Sequence, residues 1–239
     1  MEMRFWQRLR WDIVRQYYQA RKALLRLKIG ERWHEEEGLG HRRYPDYETY
    51  VRHQKTKLGA QRARWIETHD RQFYAGLTQR LAALPFDLRG RNVLCLAARQ
   101  GTEVRAFIDH GAFAVGIDLK PLPASRHVLN GDFHELQFAD ASVDVVFTNS
   151  LDHAFDLERI LGEVRRVLKP EAHFVVEANV EADEGGAAAG PYESMVWKSA
   201  DDLLERLEAE GFRLETRSPF DVPWQGEQLV LRVPHTAGA

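Results

Sequence analysis

From Arg91 to the C-terminus, short apolar runs alternate with stretches of helical periodicity, and no other feature constrains the fold as tightly. Val93-Leu94-Cys95-Leu96 is an apolar run bounded by turn residues, the pattern of a buried parallel strand. Thr102–His110 has helical spacing, and Gly111 is placed to end that helix in a left-handed conformation. Ala112–Ile117 and Val143–Phe147 read as further strands, with a short one over Arg126–Leu129 between them. Leu157, Ile160, Leu161, Val164, Val167 and Leu168 mark a helix with one buried face. Lys169-Pro170 breaks it, and Phe174-Val175-Val176 is the next strand. Ser199 with Asp202 resembles an N-terminal cap, opening a helix that runs to about Glu210 and closes at Gly211. Phe212–Thr216 and Gln228–Val233 follow as two strands with no helix between them, so they pair as an antiparallel hairpin. The expected fold class is α/β, a seven-stranded, mostly parallel sheet with an antiparallel C-terminal edge.

The segment before this core differs in character. Residues 1–30 hold eight Lys/Arg against Glu2 and Asp12, and Trp6, Leu9, Ile13, Tyr17, Ala20, Leu24 and Leu27 recur at helical spacing. This predicts a basic amphipathic helix, an N-terminal extension stopped by Gly30. Glu31–Tyr50, with Glu35-Glu36-Glu37, Gly38, Gly40 and Pro45, reads as a polar linker or surface loop. His34, Glu35, Glu36, Glu37 and His41 match no metal-ligand spacing and are expected to be a solvated acidic loop. Val51–Leu84 is helical again and ends at Pro85. The expected division is therefore 1–50, helix and linker, and 51–239, the α/β domain. Within the latter, Glu181–Gly190 is too poor in bulky side chains to pack.

Bulk properties exclude several classes. The net charge of −3 supplies no global basic field, which disfavours nucleic acid as a partner. The single cysteine, Cys95, allows no intrachain disulfide and no cysteine-based zinc site, and is expected in the core. No apolar run approaches the length of a membrane span and no signal peptide opens the chain, so a cytoplasmic location is expected. The apolar stripe of residues 1–30 suits packing on the domain, self-association or peripheral contact with an anionic membrane, ahead of RNA.

In an open α/β sheet, ligands bind beyond the carboxyl ends of the strands, where the strand order reverses. Three segments end there: Ala97–Gly101, Gly116-Ile117-Asp118 and Gly131-Asp132-Phe133. Asp118, 17 residues past Gly101, is placed to accept hydrogen bonds from both hydroxyls of a ribose. Asp132 can accept from an adenine exocyclic amine, with Phe133 alongside for apolar contact. The competing reading of each is a turn or capping aspartate.

VLCLAARQGTEV, VGIDLKP, NGDFHELQFADASVDVVFTNSLDHAFD and LGEVRRVLKPEAHFVVE resemble the successive motifs of class I S-adenosylmethionine (SAM)-dependent methyltransferases, small-molecule branch. The resemblance covers about Arg91–Val180 and implies a Rossmann-like fold, SAM as cofactor, and a small-molecule or glycan-type acceptor methylated at oxygen. It implies cofactor contacts at Ala97, Arg99, Gly101, Asp118, Leu119, Asp132, Phe133, Asn149 and Ser150, and His153 as general base for a hydroxyl. No metal is implied. The chain departs from the family pattern in the first loop: Cys95 stands where an acidic residue is usual, and Ala97 and Arg99 stand where glycines are usual. Arg99 can pair with the cofactor's carboxylate or fill the pocket and abolish binding. The latter would leave a catalytically silent methyltransferase-like module that binds a partner. A nicotinamide-dependent oxidoreductase is disfavoured, because Ala97–Thr102 does not supply Gly-x-Gly-x-x-Gly. Tyr50, His53, Gln54, Lys55 and Lys57 either cap the pocket or form a polar helix face. Trp197 and Trp224 either line a substrate pocket or pack under loops.

Overall fold

The computed structural model describes residues 33–36, 38–57, 62–122, 125–179 and 192–234. The helix expected over 1–30 and the loop expected over 181–190 lie outside the described residues. Strands β3 (Asn92–Leu96), β4 (Phe113–Asp118), β5 (Val128–Asn130), β6 (Val143–Thr148), β7 (Leu168–Asn179), β9 (Arg213–Phe220) and β10 (Gly226–Arg232) form one sheet in the order β5-β4-β3-β6-β7-β10-β9. The first five neighbours run parallel, and β10 is antiparallel to both β7 and β9. The chain thus goes outward from β3 through β4 to β5, then returns to lay β6 on the other side of β3. That reversal opens a crevice at the carboxyl ends of β3 and β6.

The alternation of side chains along β3 builds two cores. Leu94 and Leu96 face α4 (Leu157–Val167) and α5 (Ala200–Ala209), packing with Ile160, Val164, Leu203 and Leu207. Val93 and Cys95 face the opposite layer, α2 (Arg62–Ala82) and α3 (Thr102–Asp109), packing with Leu77, Val104, Phe107 and Phe147. A parallel sheet covered on both faces needs apolar residues at every position, which is why these strands read as unbroken apolar runs. The caps follow local chemistry. Ser199 and Asp202 close a reciprocal capping box on α5, while Gly111 and Gly211 take positive φ after α3 and α5.

Where a polar linker is expected, the structure has a hairpin. β1 (Trp33–Glu36) and β2 (Leu39–Arg42) pair around Gly38, at φ +81°, and β2 pairs with β8 (Met195–Trp197) as a second, three-stranded sheet. The expected acidic loop is likewise strand: Glu35 is exposed and ion-paired to Lys198, and His34 faces His41 across the hairpin. Backbone pairing with a distant strand supplies the order here, and side-chain polarity does not report it. The single helical stretch read over Val51–Leu84 is two helices, α1 (Tyr47–Lys55) and α2, separated by residues that include 56 and 57. Asp46 caps α1 by accepting from the Thr49 N–H at 2.7 Å. Tyr50, fully buried, and Gln54 then tie α1 across the crevice to His153 O (2.9 Å) and Tyr192 O (2.8 Å).

Candidate cofactor cleft

The loop from β3 to α3 forms the floor of the crevice. Ala97, Arg99 and Gly101 have φ of 55°, 30° and 74°, so all three positions keep the left-handed backbone that favours glycine although only one is glycine. Such geometry in a residue with a Cβ costs on the order of 1–3 kcal/mol and persists only where surrounding contacts enforce it. Those contacts are visible. Asp70 of α2 accepts from Gln100 Nε2 (2.6 Å), from Arg105 (2.9 Å) and from the Thr102 hydroxyl. The Arg99 carbonyl accepts from Leu122 N and Ser125 Oγ, at 3.0 and 3.1 Å.

Asp118 ends β4 beneath this loop, 8% exposed. One carboxylate oxygen accepts from Arg99 N (3.2 Å), the other from Lys120 N (2.7 Å). Two backbone donors hold the carboxylate in place, and each oxygen retains further acceptor capacity. The loop can approach β4 because residue 116 is glycine: a Cβ there would lie 2.6 Å from Ala98 Cβ and 2.9 Å from Val104 Cγ2. Gly116→Ala is therefore expected to cost about 1–3 kcal/mol in urea unfolding and to shift the loop. An unchanged midpoint would show that the loop yields freely.

The cleft has two connected compartments. The first, a narrow space of about 50 Å³, lies over Ile117, Asp118, Leu119, Gly131 and Phe133, and is roofed by Tyr50, Gln54, Lys55 and Lys57. The second, about 370 Å³, is lined by Asp70, Phe73, Glu103, Asn149, Asp152, Asn179 and Trp224 among others. Ala97, Arg99, Ser150, His153 and Lys57 line both, and so stand at the junction. Tyr50, Gln54, Lys55 and Lys57 thus cap the first compartment, whereas His53 is buried against the Tyr44 hydroxyl at 2.9 Å and does not line it. Trp224 lines the second compartment, whereas Trp197 is buried with its indole N–H donated to Asn179 O at 2.8 Å.

Of the residues expected at the cofactor, Ala97, Arg99, Asp118, Leu119, Phe133, Asn149 and Ser150 come together in this cleft, while Gly101, the buried N-cap of α3, lines neither compartment. Asp132 does not line it. Its Oδ2 accepts from the Tyr47 hydroxyl, and its Oδ1 accepts from His134 N and Nδ1, both at 2.9 Å. His134 Nε2 accepts from Phe155 N and Asp156 N at 3.2 Å, which leaves the ring proton on Nδ1, facing the carboxylate. Burial pushes the Asp132 carboxyl up, but the hydrogen bonds from His134 and Tyr47 outweigh it and hold it below the usual range. The expected acceptor for an adenine amine is here a tie between the end of β5, α1 and the start of α4. The reason is Tyr47, which a reading of strand ends alone does not bring into view.

His153 is buried. Its Nδ1 is 3.0 Å from Tyr192 O, an acceptor only, so Nδ1 carries the proton and the Nε2 lone pair faces Lys57 Nζ. Burial and then the Lys57 charge push this imidazole well below the usual histidine range, so it is neutral at physiological pH. Asp152 is pushed up to about 7 by burial, against the opposing pull of Lys57. Asp70 and Glu103 in the cleft, and Tyr47 and His134 as the partners of Asp132, are residues that sequence reading did not single out. Their roles depend on elements far apart in the chain.

A parallel sheet with this strand order, a left-handed loop after β3 and a carboxylate at the tip of β4 define the class I methyltransferase fold. Residues 94–176 match the family model described as methyltransferase domain. Among solved structures, this chain is similar to a 1,6-didemethyltoxoflavin-N1-methyltransferase from Burkholderia thailandensis with bound substrate and S-adenosylhomocysteine. The TM-score is 0.62 at 17% identity, covering 85% of this chain and 99% of that one. A Haloferax volcanii chain solved in complex with the Trm112 methyltransferase activator is similar at TM-score 0.59 and 21% identity, covering 78% and 98%. A curated protein named sterol methyltransferase-like 2, from Botryococcus braunii, is 30% identical over 40% of this chain. The matched stretch spans only 29% of that relative's length.

Proposed function

We propose that this chain is a SAM-dependent methyltransferase that methylates an oxygen of a small-molecule or glycan-type acceptor. The observation that supports it best is Asp118, pinned by two backbone N–H donors under a loop that keeps glycine-type geometry at Ala97 and Arg99. Bound SAM supplies a methyl already activated on a sulfonium, so the protein's task is alignment. Asp118 accepts from the ribose hydroxyls, and Leu119 and Phe133 offer apolar walls to the base. Arg99, at the junction, meets the cofactor's carboxylate end. The acceptor enters the second compartment beside the stacked rings of Phe73 and Trp224, and His153 Nε2 takes the hydroxyl proton once Lys57 withdraws.

Calorimetry with S-adenosylhomocysteine tests this reading. The wild-type chain is expected to bind, and Asp118→Ala to bind at least tenfold more weakly, about 1.4 kcal/mol. A wild-type chain that does not bind would end the enzyme reading, and an unchanged Asp118→Ala affinity would move the ribose elsewhere. Residues 1–30 are proposed as a site of self-association or of peripheral membrane contact on a cytoplasmic protein. No described helix is long and apolar enough to cross a membrane.

A further inference from the structure

One buried acid in the cleft has no use in the scheme above. Glu103, in the first turn of α3, is 5% exposed and lines the second compartment together with Arg99. Its carboxyl takes a hydrogen bond from its own backbone N–H and from no side chain among the described residues. A buried carboxyl whose hydrogen bond comes only from its own backbone N–H is costly to ionise, and this one faces a compartment that a ligand cation can enter. Burial foremost, and then the Glu103 charge, raise the Cys95 thiol, so Glu103 lies near the strand position that holds no acid of its own. Arg99 and Glu103 thus present a cation and an acid to one space, four residues apart across a loop held by Asp70.

We propose that Glu103 is a binding residue that receives the ammonium of a zwitterionic amino-acid end, whose carboxylate Arg99 takes. This rests on the reading of the cleft as a SAM site and assigns the group that reads the amino-acid end there. The charges facing Glu103 are Asp70 from α2, Asp118 from β4, Arg99 from the loop and the Cys95 thiol from β3. Burial pushes the Glu103 carboxyl up to about 8, opposed first by its own backbone N–H, while the Asp70 and Asp118 charges add to the rise and Arg99 opposes it least. It is therefore mostly protonated at pH 7 until an ammonium arrives, and it then gives up its proton to solvent as the ion pair forms.

Two probes separate this from the reading it rests on: S-adenosylhomocysteine, and 5′-methylthioadenosine, which keeps the adenosine and lacks the amino-acid end. Calorimetry at pH 7 in buffers of different ionisation enthalpy counts the protons released. For the full chain, S-adenosylhomocysteine should release about one proton per site, fading as pH rises past 8, and 5′-methylthioadenosine should release none. Glu103→Gln should weaken S-adenosylhomocysteine at least tenfold, leave 5′-methylthioadenosine within twofold, and abolish the release. An unchanged S-adenosylhomocysteine affinity overturns the proposal, and so does an equal loss for both probes, which would make Glu103 structural. If Glu103→Gln does not fold, the wild-type proton count decides: no release at pH 7 overturns it. A wild-type chain that binds neither probe defeats the SAM reading itself, a distinct result.

Discussion

Arg80→Ala is expected to lower folding stability at pH 7 by about 3–5 kcal/mol, read as a shift of the urea midpoint. The Glu177 side chain, on the interior strand β7, is fully buried, and Arg80 of α2 grips it at 2.6 and 3.0 Å. The same guanidinium donates to Val222 O at 2.8 Å and lies over the Phe220 ring, 4.1 Å from its centroid. One residue thereby joins helix, sheet and the turn between β9 and β10. Without it, Glu177 keeps only Gln228 Nε2, at 3.1 Å. Burial already pushes the Glu177 carboxyl up, against the hydrogen bonds and charge of Arg80. Its folded form therefore binds a proton more tightly than its unfolded form, and stability falls as pH rises through the ordinary carboxylate range. Loss of Arg80 should widen that dependence, so the variant should recover part of its deficit on acidification towards pH 5. Glu177→Gln in the Arg80→Ala background should recover part of it at pH 7. A deficit below about 1 kcal/mol would mean that water reaches the pair.

His153→Gln is expected to slow methyl transfer to a hydroxyl acceptor by roughly 10²–10⁴-fold, with S-adenosylhomocysteine affinity changed less than twofold. Glutamine keeps a donor for Tyr192 O but has no basic lone pair, so the variant isolates proton acceptance from packing. Because the imidazole is held well below its usual range, it stays neutral and imposes no rate limb near 6.5. Asp152 titrates instead, at about 7. Above that value its carboxylate gives Lys57 a counter-charge and leaves Nε2 available, so the single-turnover rate should rise through pH 7 and flatten in Asp152→Asn. A rate insensitive to His153 would leave alignment as the whole of the protein's contribution.

Legibility in the sequence followed the range of the interactions involved. Strands β3, β4 and β6 are legible because their apolar runs are buried on both faces, a property written residue by residue. Ser199, Gly111 and Gly211 are legible because caps are local. Asp118 is legible as a strand-tip carboxylate, and it does lie under the loop. The hairpin β1–β2 is not, because its order comes from pairing with β8, more than 150 positions away. The surroundings of Asp132 are not legible for a related reason: Gly-Asp at a strand end fits a ligand acceptor, and Tyr47, 85 residues earlier, reaches the carboxylate.

The order of apolar runs, breaks and caps in the chain was enough by itself to determine a doubly covered parallel sheet with a hairpin edge and a ligand crevice at its strand tips. Tertiary structure alone decided that Ala97 and Arg99 keep a glycine's backbone, that α1 roofs the crevice, and that Glu103 is enclosed beside Arg99. The physical reason is that hydrophobic periodicity and capping act between near neighbours, whereas left-handed strain, burial of an acid and the direction of a carboxylate depend on whichever distant segments pack against them.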